Sequence, residues 1–319
     1  MIEYLIIQLD DTSTSYCHYE NQRTDRNLIS LDILKLGILF AMKENLMIQF
    51  VYPDYELPTE YKDAIESIDH SKIVSSYCED KTLQEEADVI VYHDWTGLSY
   101  GRFDADKSYV LRTSKADFFD RFLFLKEVLA KVSRLNIVLT DVETFTDEDF
   151  KKYKQILETL TGHLEKLYVD GKSPQLNLLT DRMMLREMNN CGAGDTNITL
   201  APNGKFYVCP AFYYEDEKEC IGDLEQGLDI KNKQLYKLDY APICRHCDAW
   251  QCKRCIWLNR KTTLEVNTPS HEQCVLAHLE RNASRDLLNN IRKHGTFLPE
   301  QEEIKEIDYL DPFDKRDEW

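Results

Sequence analysis

Residues 244–255 read CRHCDAWQCKRC, two C-x2-C pairs four residues apart. A C-x2-C pair on a tight turn brings two sulfurs to one point with little further ordering, and a thiolate-held metal group needs about four. Read outward from this block, the rhythm continues: Cys191 lies before it, Gly204 is followed after four residues by Cys209, and Cys274 lies beyond it. Seven of the ten cysteines follow that rhythm. Dense cysteines also build disulfide scaffolds, but those belong to short secreted chains, and the opening residues do not read as a basic, apolar, cleavable leader. Reduced, metal-holding thiols in the cytoplasm are therefore the expectation. Cys244, Cys247, Cys252 and Cys255 could close one zinc knuckle by themselves, which leaves Cys191, Cys209 and Cys274 unexplained; an interleaved arrangement uses them all.

The flank supplies context. NCGAGDTNITLAPNGKFYVCP, residues 190–210, reads as a cysteine-led hairpin with Asn203-Gly204 as the turn dipeptide between two strand-like runs. This order of cysteines resembles the SPASM domain, the C-terminal auxiliary-cluster domain of many radical S-adenosylmethionine (SAM) enzymes. That family's block is C-x2-C-x5-C-x3-C; here two loops are each one residue shorter. The resemblance implies two 4Fe-4S clusters, the outer one on Cys244, Cys247, Cys252 and Cys274, the inner one on Cys191, Cys209 and Cys255. The inner set is one ligand short, and Cys220 is the nearest candidate for it. Zinc at the same cysteines is the alternative.

Composition sets outer bounds. At 319 residues with 43% hydrophobic content, two globular domains with a sizeable core are expected. A formal charge of −18 repels a phosphate backbone or an anionic membrane surface, and no apolar run approaches the roughly twenty residues needed to span a bilayer.

Ahead of the cysteine-rich segment the chain alternates. Glu3–Ser13 is an apolar run of strand length ending in turn-formers, residues 28–44 carry apolar positions at helical spacing, and LMIQFVYP reads as a strand stopped by Pro53. A polar connection over Tyr61–His70 leads to strand-like runs at Ala87–Trp95 and Ser108–Ser114. A helix over Lys115–Ser133, the strand LNIVLTDVE, a helix over Asp147–Lys166 and the strand QLNLLTD follow. Such alternation implies an α/β fold with a mainly parallel sheet, most simply a curved partial barrel.

The radical SAM resemblance implies the same architecture, a partial (β/α)6 barrel-like core followed by the small cysteine-rich SPASM-like domain and a C-terminal helix. It also implies a C-x3-C-x2-C motif after the first strand, whereas this chain has Ser13-x3-Cys17-x2-Glu20. One cysteine, even helped by His18 or Glu20, is not the three-thiolate set that such a cluster requires. No S-adenosylmethionine is expected on this chain. The expected domains are a degenerate radical SAM-like barrel over 1–187, a SPASM-like domain over 188–295 and an acidic tail over 296–319. YLIIQLDDTSTSYCHYEN, LGILFAMKENLMIQFVYPDYELP and the SPASM-like end together resemble the CXXX repeat peptide maturase group. That implies a role in cross-linking a cysteine-repeat precursor peptide through thioethers; with the initiating cysteines missing, the expected role is that of a subunit beside a catalytic radical SAM protein. A non-redox adaptor stapled by zinc or one structural cluster is the other reading.

Three further features carry expectations. Asp10-Asp11 reads as a solvated loop cap, and His93-Asp94 as a pair on opposite faces of a strand. Tyr207, Phe212, Tyr213 and Tyr214 read as packing that shields a cluster. Pro269–Lys293 reads as a helix capped by Ser270, with Cys274 in its first turns, and the tail reads as exposed or docked.

Overall fold

The computed structural model describes residues 1–305, and by packing the chain divides into two units: residues 1–101 with 192–240, and residues 102–191 with 241 onward. The sequence boundaries at 187 and 295 follow motif chemistry rather than compactness and remain a proposal.

Unit 1 opens with β1 (Tyr4–Gln8), α1 (Leu31–Glu44), β2 (Met47–Val51), α2 (Thr59–Ile65), β3 (His70–Ser75), α3 (Lys81–Glu86), β4 (Val89–Tyr92) and α4 (Trp95–Ser99). β1 to β4 pair in parallel, in order. Leu5, Ile7 and Leu9 on one face and Ile6 and Gln8 on the other are all buried, as befits a parallel strand covered on both faces. Ser30 caps α1 by accepting the Ile33 N–H, and Asn45 ends it in the left-handed conformation. The sheet touches α1 at Gly37, where a Cβ would lie 2.4 Å from Leu200.

Unit 2 begins with β5 (Ser108–Thr113), α5 (Lys115–Arg121), α6 (Leu125–Leu129), β6 (Arg134–Leu139), α7 (Asp147–Val169), β7 (Gln175–Leu176) and α8 (Asp181–Met184), with β5, β6 and β7 parallel. The chain then returns to unit 1. β8 (Asn197–Leu200) pairs in parallel with β1, and β9 (Phe206–Tyr207) folds back antiparallel on β8 with Thr199 opposite Tyr207. The Asn203-Gly204 turn is where expected, Gly204 at φ +77°. Next come α9 (Pro210–Glu215) and a small ribbon of β10 (Gly222–Asp223) and β11 (Gly227–Leu228). In unit 2, α10 (Ile256–Thr263) and α11 (His271–Arg292) finish the described fold, α11 running along α7.

The α/β class and mainly parallel pairing agree with the sequence reading, and three local readings are corrected. β3 adds a strand that the sequence reading did not include, directly after the polar connection over Tyr61–His70, because only Ile73 and Val74 of its six residues give an apolar signal. The single helix over Lys115–Ser133 is broken by a 3-10 turn at Phe122–Phe124, none of whose residues is buried, so no packing holds the α pitch there. QLNLLTD pairs over two residues only: the Asn177 side chain accepts from Ile137 N at 2.8 Å and donates to Ile137 O at 2.9 Å, taking the place of a continued ladder. No helix among the described residues is long and apolar enough to cross a membrane. The start of the tail lies on unit 2, with Arg292 donating to the carbonyls of Leu298 and Gln301 and Ile304 buried. Residues 306–319 lie outside the described part.

Candidate functional site

In unit 2 the block at 244–255 forms two tight turns, Cys247 N–H donating to Cys244 O at 3.1 Å and Cys252 N–H to Ala249 O at 3.0 Å. Each turn aims a backbone N–H at a sulfur: Ala249 N lies 3.4 Å from Cys247 Sγ and Arg254 N lies 3.4 Å from Cys252 Sγ. Arg254 reaches this position at φ +46°. Such N–H donors favour the thiolate over the thiol. The imidazole of His278 on α11 adds a third contact, with Nε2 3.5 Å from Cys247 Sγ.

Burial opposes ionisation. It pushes Cys244 up to about 11, against the pull of the Arg254 guanidinium, and Cys252 up to about 12 with Cys244 beside it. Cys247 is raised by burial too, with the Ala249 N–H, Arg281 and Arg182 working against the rise. Burial therefore favours the protonated form of all three thiols, and a cation held by them would have to displace protons.

Between the two pairs, Asp248 anchors the turn. Its carboxylate takes a 2.6 Å bond from Arg281 Nη1, and its carbonyl a 2.6 Å bond from Arg182 Nε, whose guanidinium also stacks 3.8 Å from the centre of the Trp250 ring. Arg182, Arg254 and Arg281 are all buried. Three buried guanidiniums among converging sulfurs suit an anionic, thiolate-ligated group such as an iron-sulfur cluster. The sequence reading missed these arginines, along with His278. The arginines sit beside other polar residues and give no local signal; for His278 the signal was its one-turn spacing from Cys274 on α11.

The remaining candidates are placed as follows. Cys191 N–H donates to Lys253 O at 3.0 Å, and its thiol adds to the burial that pushes Cys255 up to about 12, so these two are neighbours in unit 2. Cys274 sits in the first turns of α11, as expected from the Ser270 cap. Cys209 and Cys220 belong to unit 1. Cys209 immediately precedes α9, where it and Cys17 both act on Tyr19, while Cys220 acts on Tyr207. Among the described residues no three His, Cys, Asp or Glu side chains are gathered as around one metal ion. The thiolates of a four-iron cluster each hold a different iron and so stand further apart than the ligands of a single ion.

The loop after β1 is built differently. Ser13 is buried; its hydroxyl accepts from Asp10 N at 3.0 Å and donates to Val51 O at 2.9 Å. Thr14 Oγ1 meets His93 Nε2 at 2.7 Å, and Asn21 donates to the carbonyls of Asp11 and Ser13. Asp10 and Asp11 are buried rather than solvated. Asp10 accepts from Tyr55 and Thr12, while Asp11 accepts from Tyr213 and Asn27 and pairs with Arg23 at 3.2 Å. Arg23 lies 4.3 Å from the centre of the Tyr213 ring and bonds Glu217 at 2.9 Å. Tyr214 donates to Gln8 and stacks on Tyr19. Here the aromatic residues after Cys209 hold the β1 loop by hydrogen bonds, a role that the expectation of plain shielding did not include.

Neither a known protein-family model nor a curated protein matches the chain. Solved structures do. The radical SAM/SPASM anaerobic sulfatase maturase anSMEcpe, in a polyhistidine-tagged form with bound AdoMet, superimposes with a TM-score of 0.60 at 12% identity, over 92% of this chain and 96% of that one. Native anSMEcpe with bound AdoMet and Cp18Cys peptide does so with a TM-score of 0.60 at 12% identity, over 92% and 100%. At that identity the likeness shows the fold alone, a mixed α/β architecture with a mainly parallel sheet shared with that maturase.

Proposed function

We propose that this chain is a subunit of a ribosomal-peptide maturase that carries auxiliary iron-sulfur clusters and helps a catalytic radical SAM partner install thioether cross-links in a cysteine-repeat precursor peptide. The observation that carries the reading is the contrast between the two sites. In unit 2 the sulfurs of Cys244, Cys247 and Cys252 stand among buried arginines and N–H donors. In unit 1 the β1 loop offers Ser13, Cys17 and Glu20, with Ser13 engaged in two hydrogen bonds to the backbone. Cys244, Cys247, Cys252 and Cys274 would hold the outer cluster; Cys191, Cys209 and Cys255 would hold the inner one, with Cys220 as the candidate fourth ligand. A similar fold captured with AdoMet and the Cp18Cys peptide supports a peptide as the substrate class.

Joining a thiol to carbon removes two electrons and two protons from the peptide. A hydrogen atom taken from carbon by the partner's radical accounts for one of each, the thiol proton leaves to solvent, and a cluster on this chain would supply the acceptor for the second electron. This chain's own part is to hold that acceptor and the peptide together.

Anaerobic purification should give about eight irons and eight sulfides per chain if both sets assemble, and about four if only the outer one does. The chain alone should produce no 5′-deoxyadenosine from S-adenosylmethionine. Coexpression with the radical SAM partner and the precursor should give modification that is lost on omitting either protein and reduced by the double variant Cys191→Ala, Cys209→Ala. Full modification without this chain, or about one zinc without sulfide after anaerobic reconstitution, would overturn the reading; the zinc result would establish a stapled adaptor instead.

A further inference from the structure

We infer that His278 is a positioning and tuning residue for the outer cluster: its Nε2–H donates a hydrogen bond to the Cys247 sulfur and raises the cluster's reduction potential. The inference rests on the proposal that Cys247 ligates a cluster. Its independent observation is the 3.5 Å approach of His278 Nε2 to Cys247 Sγ from a helix that also carries Cys274 one turn earlier.

A metal-bound thiolate has no proton, so in the loaded protein the sulfur can only accept and the ring nitrogen must donate. Cys247 then receives two donors, the Ala249 N–H at 3.4 Å and His278 at 3.5 Å. Arg281 and Arg182 also lie close enough to favour its charged form. Cys252 receives the Arg254 N–H at 3.4 Å. Reduction adds negative charge that spreads onto the ligand sulfurs, and donors aimed at a sulfur stabilise the reduced state more than the oxidised one. The side chain that completes this asymmetry is on α11, and α11 is held to the knuckle by bonds independent of His278. Arg281 bonds Asp248 at 2.6 Å, and Gln251 Nε2 donates to Ala277 O at 2.6 Å. Removing the imidazole therefore need not displace the helix.

The test compares anaerobically purified full chain with His278→Leu, which removes the donor, and His278→Gln, which keeps an N–H at similar reach. Iron and sulfide are measured first, then the midpoint potentials by EPR-monitored redox titration. The expected result is unchanged iron and sulfide in all three proteins, one midpoint moved to a more negative potential in His278→Leu, and most of that movement reversed in His278→Gln. Identical potentials at full cluster content would overturn the role of His278 and leave the cluster assignment standing. Loss of a cluster in both variants would also overturn it, since His278 would then be a ligand or an anchor rather than a tuner. Wild-type protein without iron or sulfide would remove both claims together.

Discussion

The loop after β1 and the knuckle at 244–255 solve opposite problems with similar materials. Both bury charge, and both are laced by backbone hydrogen bonds. In the β1 loop the polar groups satisfy one another: Asp10 with Tyr55, Asp11 with Arg23 and Tyr213, Ser13 with Val51. In the knuckle, N–H donors and guanidiniums surround sulfurs whose protonated form burial favours. A closed polar network leaves little for a ligand to complete, whereas buried thiols among cations are completed by a metal group that displaces their protons. The difference teaches that a loop unsuited to a cluster is recognised less by the cysteines it lacks than by the hydrogen bonds that close it.

The largest expected effect breaks the knuckle's anchor. Arg281→Ala leaves Asp248 buried without its 2.6 Å partner, and loss of one member of a buried pair costs about 3–5 kcal/mol. A fall of that size in denaturant-unfolding free energy, accompanied by loss of bound iron, is expected. A variant as stable as wild type would show that the ion pair does not hold the turn.

Ser13→Ala probes the other side of the comparison. It removes the hydroxyl that bonds Asp10 N and Val51 O, at a cost of about 1–3 kcal/mol in unfolding free energy, and iron content should not change. Cys17→Ala should likewise leave iron content at the wild-type value. Iron lost on either substitution would place a cluster in the β1 loop and erase the contrast.

The smallest expected effect concerns Glu280, which accepts from Tyr153 at 2.8 Å beside Gln251. Burial raises its carboxyl from 4.5 to about 7, with the Tyr153 and Gln251 bonds working against the rise. The folded value lies above the unfolded one, so the stability tied to this group is fully present below about pH 4.5 and is lost as pH rises through about 7. Glu280→Gln should therefore stabilise the chain at pH 8 by roughly 1–2 kcal/mol, the full rise being discounted because the residue is not wholly shielded from water, with the gain vanishing near pH 5. Unfolding curves of both proteins at the two pH values decide it; an equal difference at both would remove Glu280's titration from the account.

The α/β alternation, the β8–β9 hairpin about Asn203-Gly204 and the Ser270-capped helix bearing Cys274 were all legible in the residues, because period, turn dipeptides and caps act over a few positions. The cysteine spacing carried the expectation of a thiolate centre, on which the proposed function rests, and the departure at Ser13 and Glu20 announced that the β1 loop is different. Only the tertiary structure decided the rest. Asp10 and Asp11 read as solvated caps because acidic residues usually are, yet Arg23, Tyr55 and Tyr213 meet them from distant positions in the chain. Asp248, Arg182 and Arg281 are ordinary surface letters until α8 and α11 close on the knuckle, and His278 acquires a partner only there. Local propensity is written in neighbouring residues, whereas compensation of a buried charge depends on which side chains the fold brings within about 3 Å of it, and no local pattern records that distance.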